Sequence, residues 1–428
     1  MNDIIETNFN ENVEAFISNC ISCCECLDVC PNVAFSAIKE IPYSDIIIEM
    51  KAAITENKMS KIATQRALSC SRCGACDDVC PEDINIFEIV QALRIKSFHQ
   101  SAEKPKLTKI KANGKIIDDW DIDDIVSCLQ VKTKDKPWKD INNSEIKQSD
   151  TVLYLGCHSR RYVYLIQTIL DIFKLMKVEV TVVAGGDICC GARLLGIGDI
   201  EAADRQCAEL VDYLSKYNPK EVLVQCPMCF YRIKKQIALH GDFAFRVKHI
   251  FETIENGLNK IDFTHNIRKK VTFHDPCKLG RMSGSYQPIR NIFMKLPGLQ
   301  FVEMQRAKEN SVCCGGAVWR SDSDTAAALR QKVMQMAEDS GAEVLATACQ
   351  FCQHIFSGAS HEYNYEIVEA IQIIGYGLGI FNENKLSRYC SYHDPERVIS
   401  ECQDNIIDSP YTEDEVRQVL KLVMPEYR

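Results

Sequence analysis

From about residue 150 the chain alternates short, continuous apolar runs with longer stretches of helical period, and it does so twice. In the first pass Val152-Leu153-Tyr154-Leu155-Gly156-Cys157 is a strand-like run that ends on a cysteine, and in the second Val271-Thr272-Phe273-His274-Asp275-Pro276-Cys277 has the same shape. A helical stretch follows each, then a second strand: Val178 to Ala184 leads to Cys189-Cys190-Gly191, and Gln300 to Met304 leads to Cys313-Cys314-Gly315. After another helix a third strand, Glu221 to Gln225 or Glu343 to Thr347, delivers Cys226-x2-Cys229 or Cys349-x2-Cys352. Matching cysteines lie about 120 residues apart, so the copies have nearly the same length. Strands alternating with helices predict parallel α/β layers, whose ligands gather beyond the carboxyl ends of the strands, where these cysteines fall. Two such units facing each other make a pseudo-twofold pair with the cysteines near the seam.

Before this repeat the pattern changes. Residues 1–100 carry two cysteine motifs separated by roughly forty residues that read as helices, including Ile46-Ile47-Ile48 and Lys51 to Leu68. Residues 101–150 read as a connector, and its second half, from Lys132 through Asn142-Asn143-Ser144, as loop. The expected division is therefore a helical domain at 1–100, a linker at 101–150, repeat units at 151–268 and 269–380, and a polar tail at 381–428 that covers the second unit or docks a partner. The fold class is α/β with a mainly helical N-terminal domain and tandem pseudo-twofold repeats. The most apolar run, Ile367 to Phe381, is too short to span a membrane, carries Glu369 and Gln372, and reads as a core helix.

Composition sharpens the chemistry. The chain has 428 residues, enough to bury substantial cores without disulfide staples, yet it has 23 cysteines. Its acidic, polar first residues predict no secretory signal, so the expected setting is a reducing cytoplasm, where C-x2-C pairs are metal ligands before they are disulfides. A net charge of -9 disfavours nucleic acid and anionic lipid as partners, and any membrane link is expected to be peripheral, through another protein.

Cys20-x2-Cys23-x2-Cys26-x3-Cys30-Pro31 and Cys70-x2-Cys73-x2-Cys76-x3-Cys80-Pro81 both have the bacterial cubane spacing, in which the cysteine before proline reaches the other cluster. That rule groups Cys20, Cys23, Cys26 with Cys80, and Cys70, Cys73, Cys76 with Cys30. Zinc also accepts C-x2-C pairs, but four cysteines plus proline, twice, disfavour it. Cys24 reads as a bystander, and Cys128, Cys207, Cys390 and Cys402 as packing residues.

Each repeat supplies five cysteines, one too many for a cubane. Five thiolates fit a [4Fe-4S] core opened along an edge, or a cubane with a bridging or spare cysteine. Adjacent cysteines favour unusual ligation, because neighbouring side chains do not easily take two corners of one cube. The glycine after each pair is expected to let the backbone pass close to the inorganic core.

On these motifs the second part resembles the cysteine-rich CCG family. The whole chain resembles the D-type subunits of heterodisulfide reductases, in which a ferredoxin-type part is fused to a catalytic part otherwise found as a separate B-type protein. The resemblance implies noncubane [4Fe-4S] clusters held by Cys157, Cys189, Cys190, Cys226 and Cys229, and by Cys277, Cys313, Cys314, Cys349 and Cys352. With the two cubanes this makes four [4Fe-4S] clusters. It further implies reduction of a low-molecular-weight disulfide, such as the mixed disulfide of coenzymes M and B, between the two noncubane clusters. Other relatives are electron-transfer subunits of flavin-dependent dehydrogenases for glycolate, lactate or glycerol-3-phosphate, or of membrane redox complexes. Both five-cysteine sets are complete here, which favours the disulfide reading. No flavin fingerprint is present, so electrons are expected from a partner: a membrane cytochrome b, a flavoprotein or a hydrogenase. The candidate catalytic residues are His158 and His274, as proton donors, and Lys278. Lys278, with Arg160, Arg161 and Arg281, is a candidate contact for an anionic substrate. His354, close after Cys352, is a further imidazole near the site.

Overall fold

The computed structural model describes residues 2–102, 107, 109–112, 115–140, 146–186, 188–240 and 243–424. The N-terminal part is helical, with helices Asn2–Asn19, Glu25–Asp28, Tyr43–Thr55, Lys61–Leu68 and Ile86–Gln100. Polar caps start two of them: the Ser60 side chain accepts from the Ala63 N–H, and that of Asn85 from the Glu88 N–H. Their apolar faces close a core of Phe16, Leu27, Ile46, Ile89 and Leu93 that also contains Cys26, Cys70 and Cys76.

The stretch expected to be a connector is structured. Strands β1 (Lys109–Ala112) and β2 (Lys115–Asp118) pair antiparallel, and Asp118 then starts the helix Asp119–Gln130 through reciprocal bonds with Asp121. Ile122, Ile125, Val126 and Leu129 recur at helical spacing on that helix and enter the main core. Strand β3 (Lys139–Asp140) joins the edge of the following sheet. Asn142-Asn143-Ser144 of the expected loop lie outside the described residues.

The repeat units form two wholly parallel sheets. The first runs β3-β5-β4-β6-β7, with β4 Thr151–Leu155, β5 Thr181–Ala184, β6 Glu221–Val224 and β7 Arg246–His249. The second has β8 Lys270–His274, β9 Gln300–Phe301, β10 Val344–Thr347 and β11 Glu366–Glu369, in the order β11-β10-β8-β9. Removing β3 leaves the same order in both, so the two units are topological copies. Central strands such as β4 are covered on both faces, which explains their unbroken apolar runs.

Two expectations change. The fourth strands β7 and β11 each carry at least two charged or polar positions, as suits sheet edges, and β11 takes the start of the run expected to be one core helix; the helix is Ala370–Gly377. The tail covers the first unit's side instead of the second unit. Its helices Lys385–Ser391 and Gln403–Ile407 bring the Lys385 ammonium to the Gln130 carbonyl at 3.0 Å and the Asn405 amide to that of Leu129 at 2.8 Å. These are carbonyls of the last turn of the Asp119–Gln130 helix, which lack helical partners.

The glycines after the paired cysteines also meet a packing constraint. Gly191 and Gly315 have φ of +73° and +86°, and a side chain on either would strike the backbone of the following helix, at Ala203 and Ala326. Arg232 reinforces the first contact, donating to the carbonyls of Cys190 at 3.0 Å and Ala203 at 2.8 Å. Close approach to the helices Ile200–Ser215 and Ser323–Asp339 requires glycine there. Gly191→Ala and Gly315→Ala are each expected to lower stability by roughly 1–3 kcal/mol from the backbone conformation alone, with more from the collision. Denaturation midpoints measured anaerobically would show it, and a midpoint equal to the parent's would refute it.

Candidate metal centres and the seam between the repeats

All ten cysteines of the repeats lie at or beyond the carboxyl ends of parallel strands. Cys157 opens the short helix Cys157–Arg161 after β4, Cys226 follows β6, and Cys229 sits in the helix Pro227–His240. The thiols of the first set form a chain of sulfur contacts, Cys157 to Cys189 to Cys190 to Cys229 to Cys226. The second set repeats it as Cys277, Cys313, Cys314, Cys352, Cys349. Cys229 Sγ donates to Cys190 Sγ at 3.4 Å, and Cys352 Sγ to Cys314 Sγ at 3.3 Å. In each set the second member of the adjacent pair therefore accepts from two thiols. Cys189 and Cys229 hold Cys190 well below the ordinary thiol range, and Cys313 and Cys352 bring Cys314 down to about 6. These two sulfurs are the ones most ready to bind a metal as thiolates.

A polar side chain three residues before the first cysteine faces each set. His274 has both ring nitrogens buried without a partner, and one of them lies within 4.8 Å of the Cys314 and Cys352 sulfurs. Burial pushes its pKa down to about 4. The matching residue in the first unit is Tyr154, whose buried hydroxyl also has no partner. Sequence reading passed over Tyr154 as strand core, although superposing the repeats on their cysteines aligns it with His274.

In the helical domain one cavity is lined by Cys20, Cys23, Cys26 and Cys80, together with Cys24. Cys30 lies instead where the charges of Cys73 and Cys70 reach it. The two loops follow one backbone path: Ser22 and Cys24 in the first, and Arg72 and Gly74 in the second, all have positive φ. Cys24 thus stands where the second motif has glycine.

The seam between the repeats has two unlike faces. On one, Lys278, directly after Cys277, stands 4.6 Å from the ring of Tyr231, two residues after Cys229. On the other, His158, directly after Cys157, meets His354, two residues after Cys352, with ring centroids 6.1 Å apart. The pairs occupy pseudo-equivalent positions. The Lys278 face is closed by the helical domain: Lys278 donates to the Arg72 carbonyl and lies 5.2 Å from the Phe87 ring, while Arg281 reaches the Cys73 carbonyl at 3.3 Å. Cys73 joins the same apolar cluster as Cys313, Cys314 and Cys352. The His158 face is ringed by Phe351 and Trp319, with Arg320 over the Trp319 ring at 5.0 Å.

The candidate residues are therefore redistributed. Lys278 is buried under the helical domain, its pKa pushed down to about 8 by burial, and His274 faces the second thiol set. Arg160 pairs with Asp124 at 3.3 Å, Arg161 with Asp123 at 2.5 Å, and Arg281 with backbone carbonyls of Glu309 and Ser311. Of the cations near the His158 face, Arg320 is the half-exposed one, and its sequence position next to Trp319 gave no signal.

No disulfide forms among the described cysteines, and the donor sets suit iron: thiols in fours and fives, with buried polar groups turned toward them. Gly156 leaves room that a side chain would fill, since a Cβ there would stand 2.6 Å from Cys229 Sγ. Comparison with known proteins agrees. The Cysteine-rich domain (CCG) family profile matches residues 151–234 and 271–357, and the 4Fe-4S dicluster domain profile matches residues 16–84. The D-type protein of the dihydromethanophenazine:CoB–CoM heterodisulfide reductase of Methanosarcina acetivorans is 28% identical over 400 residues, covering 85% of this chain and 94% of that protein. This chain is a D-type heterodisulfide reductase-like protein. The corresponding D-type protein of Methanosarcina barkeri gives 28% identity over 84% of this chain and 94% of its own length. The B-type protein of the fumarate reductase (CoM/CoB) of Methanothermobacter marburgensis gives 25%, over 79% of this chain and 67% of its own length. The chain is thus an iron–sulfur oxidoreductase of the CCG kind. No described helix is long and apolar enough to cross a membrane.

The His158 face is braced by Asp123, fully buried on the Asp119–Gln130 helix, which binds both Arg161 and Arg193. Burial opposes the Arg193 charge, but Asp123 and then Cys157 outweigh it and its pKa is raised. Asp123→Ala leaves two guanidiniums facing each other in the interior and is expected to cost about 3–5 kcal/mol. A loss below about 1 kcal/mol in anaerobic denaturant titration would show that the brace carries little.

Proposed function

We propose that this chain is the disulfide-cleaving member of a larger complex, holding two cubane [4Fe-4S] clusters in the helical domain and two noncubane [4Fe-4S] clusters in the repeats. The single observation that carries the reading is the pair of complete, matching five-cysteine sets whose flanking residues meet at a seam between the repeats. When bound, the clusters supply one-electron transfer and, in the five-cysteine seats, iron able to take sulfur. Cys20, Cys23, Cys26 and Cys80 hold one cubane, and Cys30, Cys70, Cys73 and Cys76 the other. The contact of Cys73 with the second five-cysteine set supports passage of electrons into the seam there.

The residues of the His158 face do the rest. Trp319 and Phe351 exclude water from the sulfurs, and Arg320 attracts an anionic end of the substrate. His158 and His354 both stand neutral at pH 7, held down by burial first and by Arg161 among their neighbours. Both stand where they can donate a hydrogen bond to sulfur or supply a proton to a departing thiolate. Cys23 is exposed, beside Ile21 at 63% exposure, and that corner is where a cytochrome b, flavoprotein or hydrogenase partner delivers electrons.

Anaerobically loaded protein should contain about sixteen irons, four per cluster; about eight would mean that the five-cysteine seats hold no clusters. Reduced viologen should be oxidised by the mixed disulfide of coenzymes M and B. Cys190→Ala and Cys314→Ala should each lower that rate at least about a hundredfold, while the cubane EPR signals survive. Activity kept in either variant would sink the two-cluster mechanism. A fully loaded but inactive parent would favour an electron conduit between a flavin dehydrogenase and a quinone or cytochrome.

A further inference from the structure

Arg66 lies on the helix Lys61–Leu68 in the heart of the helical domain, 1% exposed and among the largest fully buried side chains. Its Nε and Nη1 have no hydrogen-bond partner. Other buried arginines of this region reach backbone carbonyls through their terminal nitrogens while their Nε stays unpartnered: Arg94 donates to the carbonyls of Ala67 at 3.0 Å and Gly196 at 3.0 Å, and Arg72 donates to that of Leu195. Among the described residues no carboxylate forms a salt bridge with Arg66. The opposite charges that act on it are the thiolates of Cys30, Cys70, Cys76 and Cys26, three from one expected cubane seat and one from the other. A buried cation without acceptors is strongly unfavourable, so its position makes sense only if the seats supply them.

We propose that Arg66 is a shared donor to both cubanes, its planar fork directed at the sulfurs of the two seats and its charge favouring the reduced form of each. The proposal rests on the cubane loading argued above. Each cubane gains one electron on reduction, and the cluster with its thiolates becomes more negative by one charge. A fixed cation beside both seats therefore raises both potentials, and net charge and hydrogen bonds to sulfur are the terms that set such potentials. One residue then keeps two neighbouring one-electron carriers at matched potential, as a wire with two stops needs.

The test is an EPR-monitored redox titration of the full, anaerobically loaded chain. In Arg66→Gln the reduced-to-oxidised ratio at fixed poise should fall about tenfold at both cubanes, which is about 59 mV for a one-electron couple, while the signals of the five-cysteine seats keep their potentials. Arg66→Lys keeps the charge without the fork and should fall about threefold at both. A shift at only one cubane, or at neither, overturns the proposal. If Arg66→Gln loses its cubanes, the lysine variant decides: parent potentials at either cubane overturn it. A parent chain with no cubane signal removes the loading on which it rests, and overturns it for that different reason.

Discussion

Thiolates repel one another, and a protein interior makes that repulsion worse until a metal neutralises it. The fold is arranged around this constraint. Its thiol sets are buried at loop positions fixed by other, cheaper forces: apolar parallel strands, glycines in left-handed conformation, and arginines donating to backbone carbonyls. Gly191 and Gly315 press the paired-cysteine loops onto helices, and Arg232 ties the first of these loops down. The sulfurs of Cys190 and Cys229 are held at 3.4 Å, and those of Cys314 and Cys352 at 3.3 Å, by a scaffold that does not itself depend on sulfur chemistry.

From one repeated plan the chain derives two unlike faces. The residue after the first cysteine and the residue two after the last meet across the seam in both directions, as Lys278 with Tyr231 and as His158 with His354. A cation under the helical domain suits a permanent contact, because the Arg72 carbonyl accepts from it and two aromatic rings surround it. Neutral imidazoles among aromatic rings suit a face that must meet sulfur. The repeated plan supplies the symmetry, and different residues at these few positions make the two faces unlike.

The cysteine positions, the strand that delivers each, and the equality of the two units were legible in the sequence, because metal-ligand spacing and buried parallel strands both leave dense local signals. What was not legible depended on distant partners. The Asp119–Gln130 helix has its apolar stripe in plain view, yet the polar residues after it drew the whole stretch into a linker. Strands β7 and β11 are short and charged, and only their pairing with β6 and β10 makes them strands. Lys278 and Arg281 looked like substrate contacts because both follow a cysteine. Their partners, the carbonyls of Arg72 and Cys73, lie some two hundred residues away in sequence. Arg66 offered no signal at all, since one arginine on a short helix is ordinary until it is found buried.

The attachment of the helical domain follows from the same economy. Arg72 and Arg94 reach carbonyls at Leu195 and Gly196 of the first unit, Lys278 and Arg281 reach back from the second, and Ser321 donates to the Leu68 carbonyl at 2.9 Å. These contacts read backbone, which is present whatever the side chain, so the geometry between domains does not hinge on any single acceptor residue. The arginine and lysine contacts among them also place charged groups at the junction, which a hinge that opened and closed would have to expose and rebury. The junction is therefore built as a fixed splice that sets Cys73 in one apolar cluster with Cys313, Cys314 and Cys352.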